Sequence, residues 1–221
     1  MRKAVILNSI FMVLIILLIL FSVRIEYFFP LPDTGLTEQD IPKQAEPIDT
    51  SMGTNPDAPI DMIVFEDFSC FFCRDTYPAV KQIREEYKTN INYVFKHLPQ
   101  GQDSLNAHIA AECSRDHGLF IEFHDAVYES GDLSNDNIID IAESLDIDIN
   151  QFKSCIGSDE KESVIMRDIK DAELNSITGT PIFIINGDII VGSQSYDSLK
   201  DIIDKQLDPE RIVAEILGGS G

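Results

Sequence analysis

The chain has 221 residues, 44% of them hydrophobic, and a formal net charge of −21. That length can bury one sizeable core with appendages, which excludes two or more full domains. Acidic side chains spread along the chain, rather than gathered in one block, argue against nucleic acid and against an anionic lipid surface as partners.

The first element is an apolar run. Met1-Arg2-Lys3 precedes residues 4–23, "AVILNSIFMVLIILLILFSV", which carry no charged side chain and end at Arg24. At about 1.5 Å of rise per residue such a helix reaches roughly 30 Å, the hydrocarbon thickness of a bilayer. No small-x-small cleavage pattern follows, so the run is expected to remain as an anchor rather than to be removed as a signal peptide. Arg2 and Lys3 outweigh Arg24, which predicts a cytoplasmic N-terminus with the rest of the chain exported. Residues 1–24 are therefore expected to be a cytoplasmic stub and transmembrane helix. Residues 25–58, rich in proline and acids and without sustained periodicity, are expected to be an extended linker.

A globular part is predicted over residues 59–208, followed by a short tail, 209–221. "IDMIVFEDF" is a short buried strand bounded by Pro59 and Cys70. Phe72, Thr76, Val80, Ile83 and Tyr87 then recur at helical spacing, with Pro78 expected to kink the helix. "INYVFKHL" is a second strand. Over about 103–175 the pattern becomes helical: Leu105, Ile109 and Cys113 share one face, and Phe120, Phe123 and Val127 another. "TPIFIINGDIIVG" is a hairpin turning at Asn186-Gly187, and a helix over 195–206 follows. Strand, helix, strand, helical block, hairpin and helix, in that order, predict an α/β, thioredoxin-like core with a helical insertion, behind the N-terminal transmembrane helix.

All four cysteines lie beyond the anchor and so in an oxidising compartment. Cys70 and Cys73 form a C-x-x-C at the junction of a strand and a helix. A helix N-terminus offers partial positive charge and unpaired N–H groups to a thiolate there, so this spacing favours a redox pair with Cys70 as nucleophile and Cys73 buried. Zinc would need two more ligands, and Cys113, Cys155 and the scattered His97, His108, His117 and His124 have no matching spacing. The histidines are expected at the surface or packed between helices. Asp132, Ser134, Asp136, Asp140 and Glu143 match positions of a calcium loop, but Asn137 stands where that loop needs glycine, so capping acids and a solvated helix explain them. Cys113 and Cys155 should both point inward and form a structural disulfide; the alternative is two buried thiols packing as small apolar groups.

Three pieces in this order, "MIVFEDFSCFFC", "AHIAAECSRDHGLFIEFHDAVYES" and "ITGTPIFIINGDIIVG", resemble the DsbA-like thiol-disulfide oxidoreductases over about residues 50–205. The resemblance implies that Cys70 and Cys73 are the redox pair and that Pro181, after Thr180, is a cis-proline beside it. It implies no cofactor. It implies exported proteins with free thiols as substrates, and a membrane quinone-linked reoxidase of the DsbB or vitamin K epoxide reductase kind as partner. Two departures stand out. Phe71-Phe72 replaces a dipeptide that usually begins with proline and often supplies His or Tyr, and Val64 occupies the place of a carboxylate six residues before the nucleophile, with Glu66 and Asp67 nearer. Arg74, one turn from Cys70, offsets those acids. The expected activity is disulfide introduction; a reductase or isomerase, and a redox-inert binding or chaperone module, are the alternatives.

Overall fold

A computed structural model describes residues 48–50 and 52–208. The expected anchor at 4–23, most of the linker and the tail at 209–221 lie outside the described residues, among which no helix is long and apolar enough to cross a membrane.

Four strands form the sheet: β1 (Ile60–Glu66), β2 (Ile91–His97), β3 (Ile182–Ile185) and β4 (Asp188–Val191), in the order β2-β1-β3-β4. β1 and β2 run parallel with Val64 opposite Phe95, so the chain must cross over between them, and α1 (Phe71–Glu86) is that crossover. β1 and β3 are antiparallel, with Val64 opposite Phe183, as are β3 and β4. The β3–β4 turn is Asn186-Gly187, both at positive φ, as a tight two-residue hairpin requires.

The helical insertion follows β2: α2 (Gln102–Arg115), α3 (Phe120–Ser130), α4 (Asn135–Ser144), α5 (Ile149–Ile156) and α6 (Glu162–Leu174). α7 (Tyr196–Leu207) closes the described chain. This is an α/β thioredoxin-like fold with a helical insertion.

Strand alternation explains how both faces of the sheet are covered. Ile60, Met62 and Val64 of β1, with Ile91, Tyr93 and Phe95 of β2, belong to the larger core with α1, α7 and most of the insertion. Ile63, Phe65 and Val94 join Ala172 of α6, Ile177 and Ile182 in a smaller core on the other face. β1 and β2 are thus nearly continuous apolar runs, as expected when helices cover both faces of a parallel pair. At the strand ends the same period of two carries Glu66 and His97 toward the larger core and Lys96 toward α6.

The exposure of Phe72 and the docked stretch before residue 59 differ from the sequence expectations, whereas the start of α4 and the Cys113–Cys155 bond agree with them. Phe72 is exposed, because the buried face of α1 centres on Cys73, Thr76, Tyr77, Val80 and Ile83, and at 100° per residue Phe72 lies at the margin of that stripe. α1 continues through Pro78 to Glu86. The stretch before residue 59 includes backbone docked on the domain: Thr54 N–H donates to the Tyr93 carbonyl at 3.0 Å and Asn92 Nδ2 donates to the Thr50 carbonyl at 3.0 Å, which partners part of the otherwise open β2 edge. Gly53 is required there, since a Cβ would fall on the Asn92 amide. α4 starts inside the calcium-like stretch, with the Ser134 hydroxyl accepting from Asn137 N–H as its N-cap. Cys113 of α2 and Cys155 of α5 are joined by a disulfide, with Cα atoms 5.9 Å apart.

Candidate active site

The loop Asp67-Phe68-Ser69-Cys70 carries the chain from β1 into α1. Asp67 shapes it: Ser69 N–H donates to Asp67 Oδ1 at 3.0 Å, Ser69 Oγ to Oδ2 at 2.7 Å, and Cys70 N–H to the Asp67 carbonyl at 3.0 Å. Ser104 Oγ of α2 also donates to Oδ1. Burial opposes the Asp67 charge, but the neighbouring His108 and the hydrogen bonds from Ser104 and Ser69 outweigh it and hold the carboxyl at about 2.

Cys70 is the N-cap of α1, with extended backbone and no acidic residue in the first turn of the helix. Its sulfur is half-buried, whereas Cys73, one turn in, is only 2% exposed. Both are thiols in this structure. Cys70 Sγ donates to the Thr180 carbonyl at 3.4 Å, and the Thr180–Pro181 peptide bond is cis. Cys70, Cys73, Thr180 and Pro181, separated by more than a hundred positions, are therefore brought together. Cys113 and Cys155 are bonded elsewhere, within the insertion.

Cys73 and Pro181 line a small cavity with Val64, Glu66, Thr76, Tyr77 and Val80, with room for one water molecule. Burial pushes the Cys73 thiol far above its ordinary range; the backbone at Asp67 offsets part of this, and the negative charge of Glu66 adds to it. Phe71 and Phe72, 71% and 57% exposed, pack edge to face outside the cysteines and can donate no hydrogen bond to them. The Arg74 guanidinium lies against Gly131, at the C-terminal cap of α3.

The histidines depart most from expectation. His97, His108 and His124 are buried, in a cluster of acids below the active-site loop. His97 Nε2 is 3.0 Å from Glu112 Oε1 and its Nδ1 is 2.8 Å from His108 Nδ1. His108 Nε2 stands 3.8 Å from Asp67 Oδ1 and makes no hydrogen bond. His124 Nε2 is 2.5 Å from Glu66 Oε1. Phe68 separates the two groups, stacking on His108 at 4.4 Å and tilted to His124 at 5.4 Å. One signal was present in the sequence: Ser104, His108 and Glu112 recur every four residues among buried alanines of α2, a polar stripe inside an apolar face.

A thioredoxin fold with C-x-x-C at the start of its first helix, and the loop of a cis-proline against the first cysteine, defines the thiol-disulfide oxidoreductase class in its DsbA-like form. A family model described as thioredoxin matches residues 47–205, and the chain belongs to that family. It is 30% identical over 165 residues to the probable disulfide bond formation protein D of Bacillus anthracis, covering 68% of this chain and 75% of that protein. It is 33% identical over 147 residues to the Na(+)/H(+) antiporter NhaA 1 of Salinispora arenicola, and there the match covers 65% of this chain but only 22% of the relative. Among solved structures, the thiol-disulfide exchange protein alpha-DsbA2 of Wolbachia pipientis is similar, with a TM-score of 0.63 at 27% identity over 68% of this chain and 83% of that one.

Proposed function

We propose that the chain is a membrane-anchored, extracytoplasmic oxidoreductase that introduces disulfides into exported proteins through Cys70 and Cys73. The observation that carries this reading is the half-exposed Cys70 thiol at a helix N-cap, 3.4 Å from the Thr180 carbonyl and one turn above the buried Cys73. An exposed sulfur can be attacked by a protein thiol, and a buried one can only exchange with its neighbour.

In the oxidising direction a substrate thiolate attacks Cys70 Sγ of the enzyme disulfide. The Cys70–Cys73 bond breaks and its electron pair goes to Cys73, which takes up a proton. A second substrate thiolate attacks the substrate sulfur of the mixed disulfide, and Cys70 leaves as a thiolate that is protonated from solvent. Two electrons pass from the substrate dithiol to the enzyme, which ends as the dithiol. Glu66, which lines the cavity shared with Cys73, is the carboxylate placed to pass a proton on to the Cys73 sulfur. The pair is returned to the disulfide by a membrane partner of the quinone-linked kind, reached by anchoring through residues 4–23.

The reverse direction is favoured by one observation, the Phe71-Phe72 dipeptide, which leaves a reduced thiolate to the helix N-terminus alone. Measuring the reduction potential of the full-length chain separates the two. A value above about −200 mV is expected for the oxidase; a value near −270 mV assigns a reductase. Protease added to cells stripped of any outer barrier should digest everything beyond residue 24, and full protection would overturn the topology.

A further inference from the structure

Both ring nitrogens of His124 face carboxylates. Nε2 is 2.5 Å from Glu66 Oε1, and Nδ1 is 3.3 Å from Asp125 Oδ1. At one end of this run, Glu66 shares its cavity with Cys73. At the other, Asp125 accepts from Arg84 Nη2 at 2.5 Å and stands 3.7 Å from Lys81 Nζ, whose side chain is 33% exposed. Titratable groups in contact therefore lead from Glu66, across the cavity from the buried cysteine, over the α3 face to the surface between α1 and α3.

We propose that His124 and Asp125 form the route by which the proton gained or lost by Cys73 passes between Glu66 and solvent. This rests on the reading of Cys70 and Cys73 as the redox pair. His124 is on this account a positioning and proton-transfer residue, not a catalytic one, because it reaches the sulfur only through Glu66.

The need for such a route follows from burial. A bare Cys73 thiolate would sit in an apolar pocket beside a carboxylate, so its charge has to be neutralised as it forms. When the enzyme disulfide opens, His124 Nε2 gives its proton to the Glu66 carboxylate as Glu66 passes one to the Cys73 sulfur, and Nδ1 receives one from solvent by way of Asp125. One proton enters and one remains on sulfur. The ring is left carrying its hydrogen on Nδ1. Reoxidation sends the proton back along the same path and restores the Nε2–H form, so the ring is reset once per cycle.

The surroundings suit that task. Burial opposes a charge on His124, but Glu66 and Asp125 outweigh it and raise the imidazole above its ordinary value, so a proton can reside there. Around the ring stand Glu66 from β1; Tyr77 from α1 at 6.2 Å; Asp125 and Tyr128 from α3, the latter at 4.9 Å; and Phe95 from β2 at 4.3 Å. Arg84 and Lys81 act on it only through Asp125. Burial keeps both tyrosines neutral. No competing path for the proton is offered by the phenylalanine rings of Phe68, Phe95 and Phe120 that complete the wall.

The test uses the full-length chain in detergent, oxidised, mixed with a dithiol peptide in a stopped-flow instrument from pH 5 to 9, in H2O and D2O. His124→Gln keeps a donor to Glu66 but cannot accept a proton on one side and release it on the other. The step that frees Cys73 is expected to slow at least about tenfold, with a changed pH profile, while alkylation of reduced Cys70 keeps its rate. A folded variant whose rate stays within about twofold of wild type, with the same pH profile, overturns the relay. Should the variant not fold, nitrogen-15 spectra of the unmutated protein decide: the His124 ring shifts must differ between oxidised and reduced states, and identical shifts overturn the proposal. Wild-type protein that oxidises no dithiol at any pH overturns the redox reading and the relay with it; turnover by wild type with an unaffected variant overturns the relay alone.

Discussion

His97 Nδ1 and His108 Nδ1 lie 2.8 Å apart in the interior, so β2 and α2 are joined ring to ring, one nitrogen donating and the other accepting. Burial pushes His108 down to about 4 from its ordinary 6.5, while Glu112, despite burial, is held at about 2 by its hydrogen bonds from His97 and Arg115. Both groups bind protons less readily folded than unfolded. His108 therefore contributes stability in full above pH 6.5, lost as pH falls toward 4, and Glu112 and Asp67 contribute stability lost as pH falls from about 4 toward 2. His124, raised in the fold, acts oppositely and withdraws stability as pH rises above 6.5. Stability should peak near neutrality, with His108 responsible for up to about 3 kcal/mol on the acid side. Urea midpoints at pH 7, 5.5 and 4.5 test this: the wild-type midpoint should fall, and His108→Gln should flatten the fall. A midpoint unmoved over that range would contradict the assignment.

Replacing Phe72 by His should raise the reduction potential of the pair. A strong oxidant is one whose reduced thiolate is stabilised, and an imidazole in the first turn of α1 adds a donor where an exposed Phe offers none. A rise of about 30 mV, tenfold in the equilibrium constant, is expected against glutathione. An unchanged potential would remove the tuning role of this dipeptide and leave the redox pair untouched.

Cys73→Ala should accumulate substrates covalently on Cys70, because no second thiol remains to release them, and Cys70→Ser should abolish dithiol oxidation. Non-reducing gels of each full-length variant, incubated with a reduced exported protein, read both outcomes. Residual oxidation by Cys70→Ser would end the assignment of Cys70 as nucleophile.

The bond between Cys113 and Cys155 closes a loop of 42 positions across α2 and α5. In the chain-entropy picture such a loop contributes roughly 4 kcal/mol, so Cys113→Ala with Cys155→Ala should lower the urea midpoint while sparing dithiol oxidation. Loss of activity in a folded double variant would give the bond a part in the reaction.

Lys96 Nζ donates to Asp168 Oδ1 at 2.9 Å and Asp171 Oδ2 at 3.0 Å, and pins α6 to the sheet through side chains only 9% and 7% exposed at Lys96 and Asp168. Lys96→Met leaves the buried Asp168 carboxylate without its charge partner and should cost about 3 kcal/mol. Lys96→Met with Asp168→Asn should recover part of that loss; a double variant no more stable than the single one would show the pair to be uncoupled.

Local pattern was enough to read the order of elements. The apolar run before Cys70, the stripe from Thr76 to Tyr87 and the Asn186-Gly187 turn each record short-range sterics and a single buried face, and neighbours in sequence decide those. The cysteine pair was legible for the same reason, since its spacing and its junction are local. Contact between Cys70 and the Thr180 carbonyl, across 110 positions, came from resemblance, and only the folded chain shows the distance. The histidine cluster left only one trace in the sequence, the polar stripe Ser104, His108 and Glu112 on α2. A histidine on a strand end or a helix face has the same sequence surroundings whether it meets water or a carboxylate, and Glu66 and His124 stand 58 positions apart. Whether a polar side chain is tolerated in a core depends on the partner brought to it from another element, because the desolvation cost of one group is offset only by the hydrogen bond and charge of the other, and that pairing exists only once β1, β2, α2 and α3 have packed.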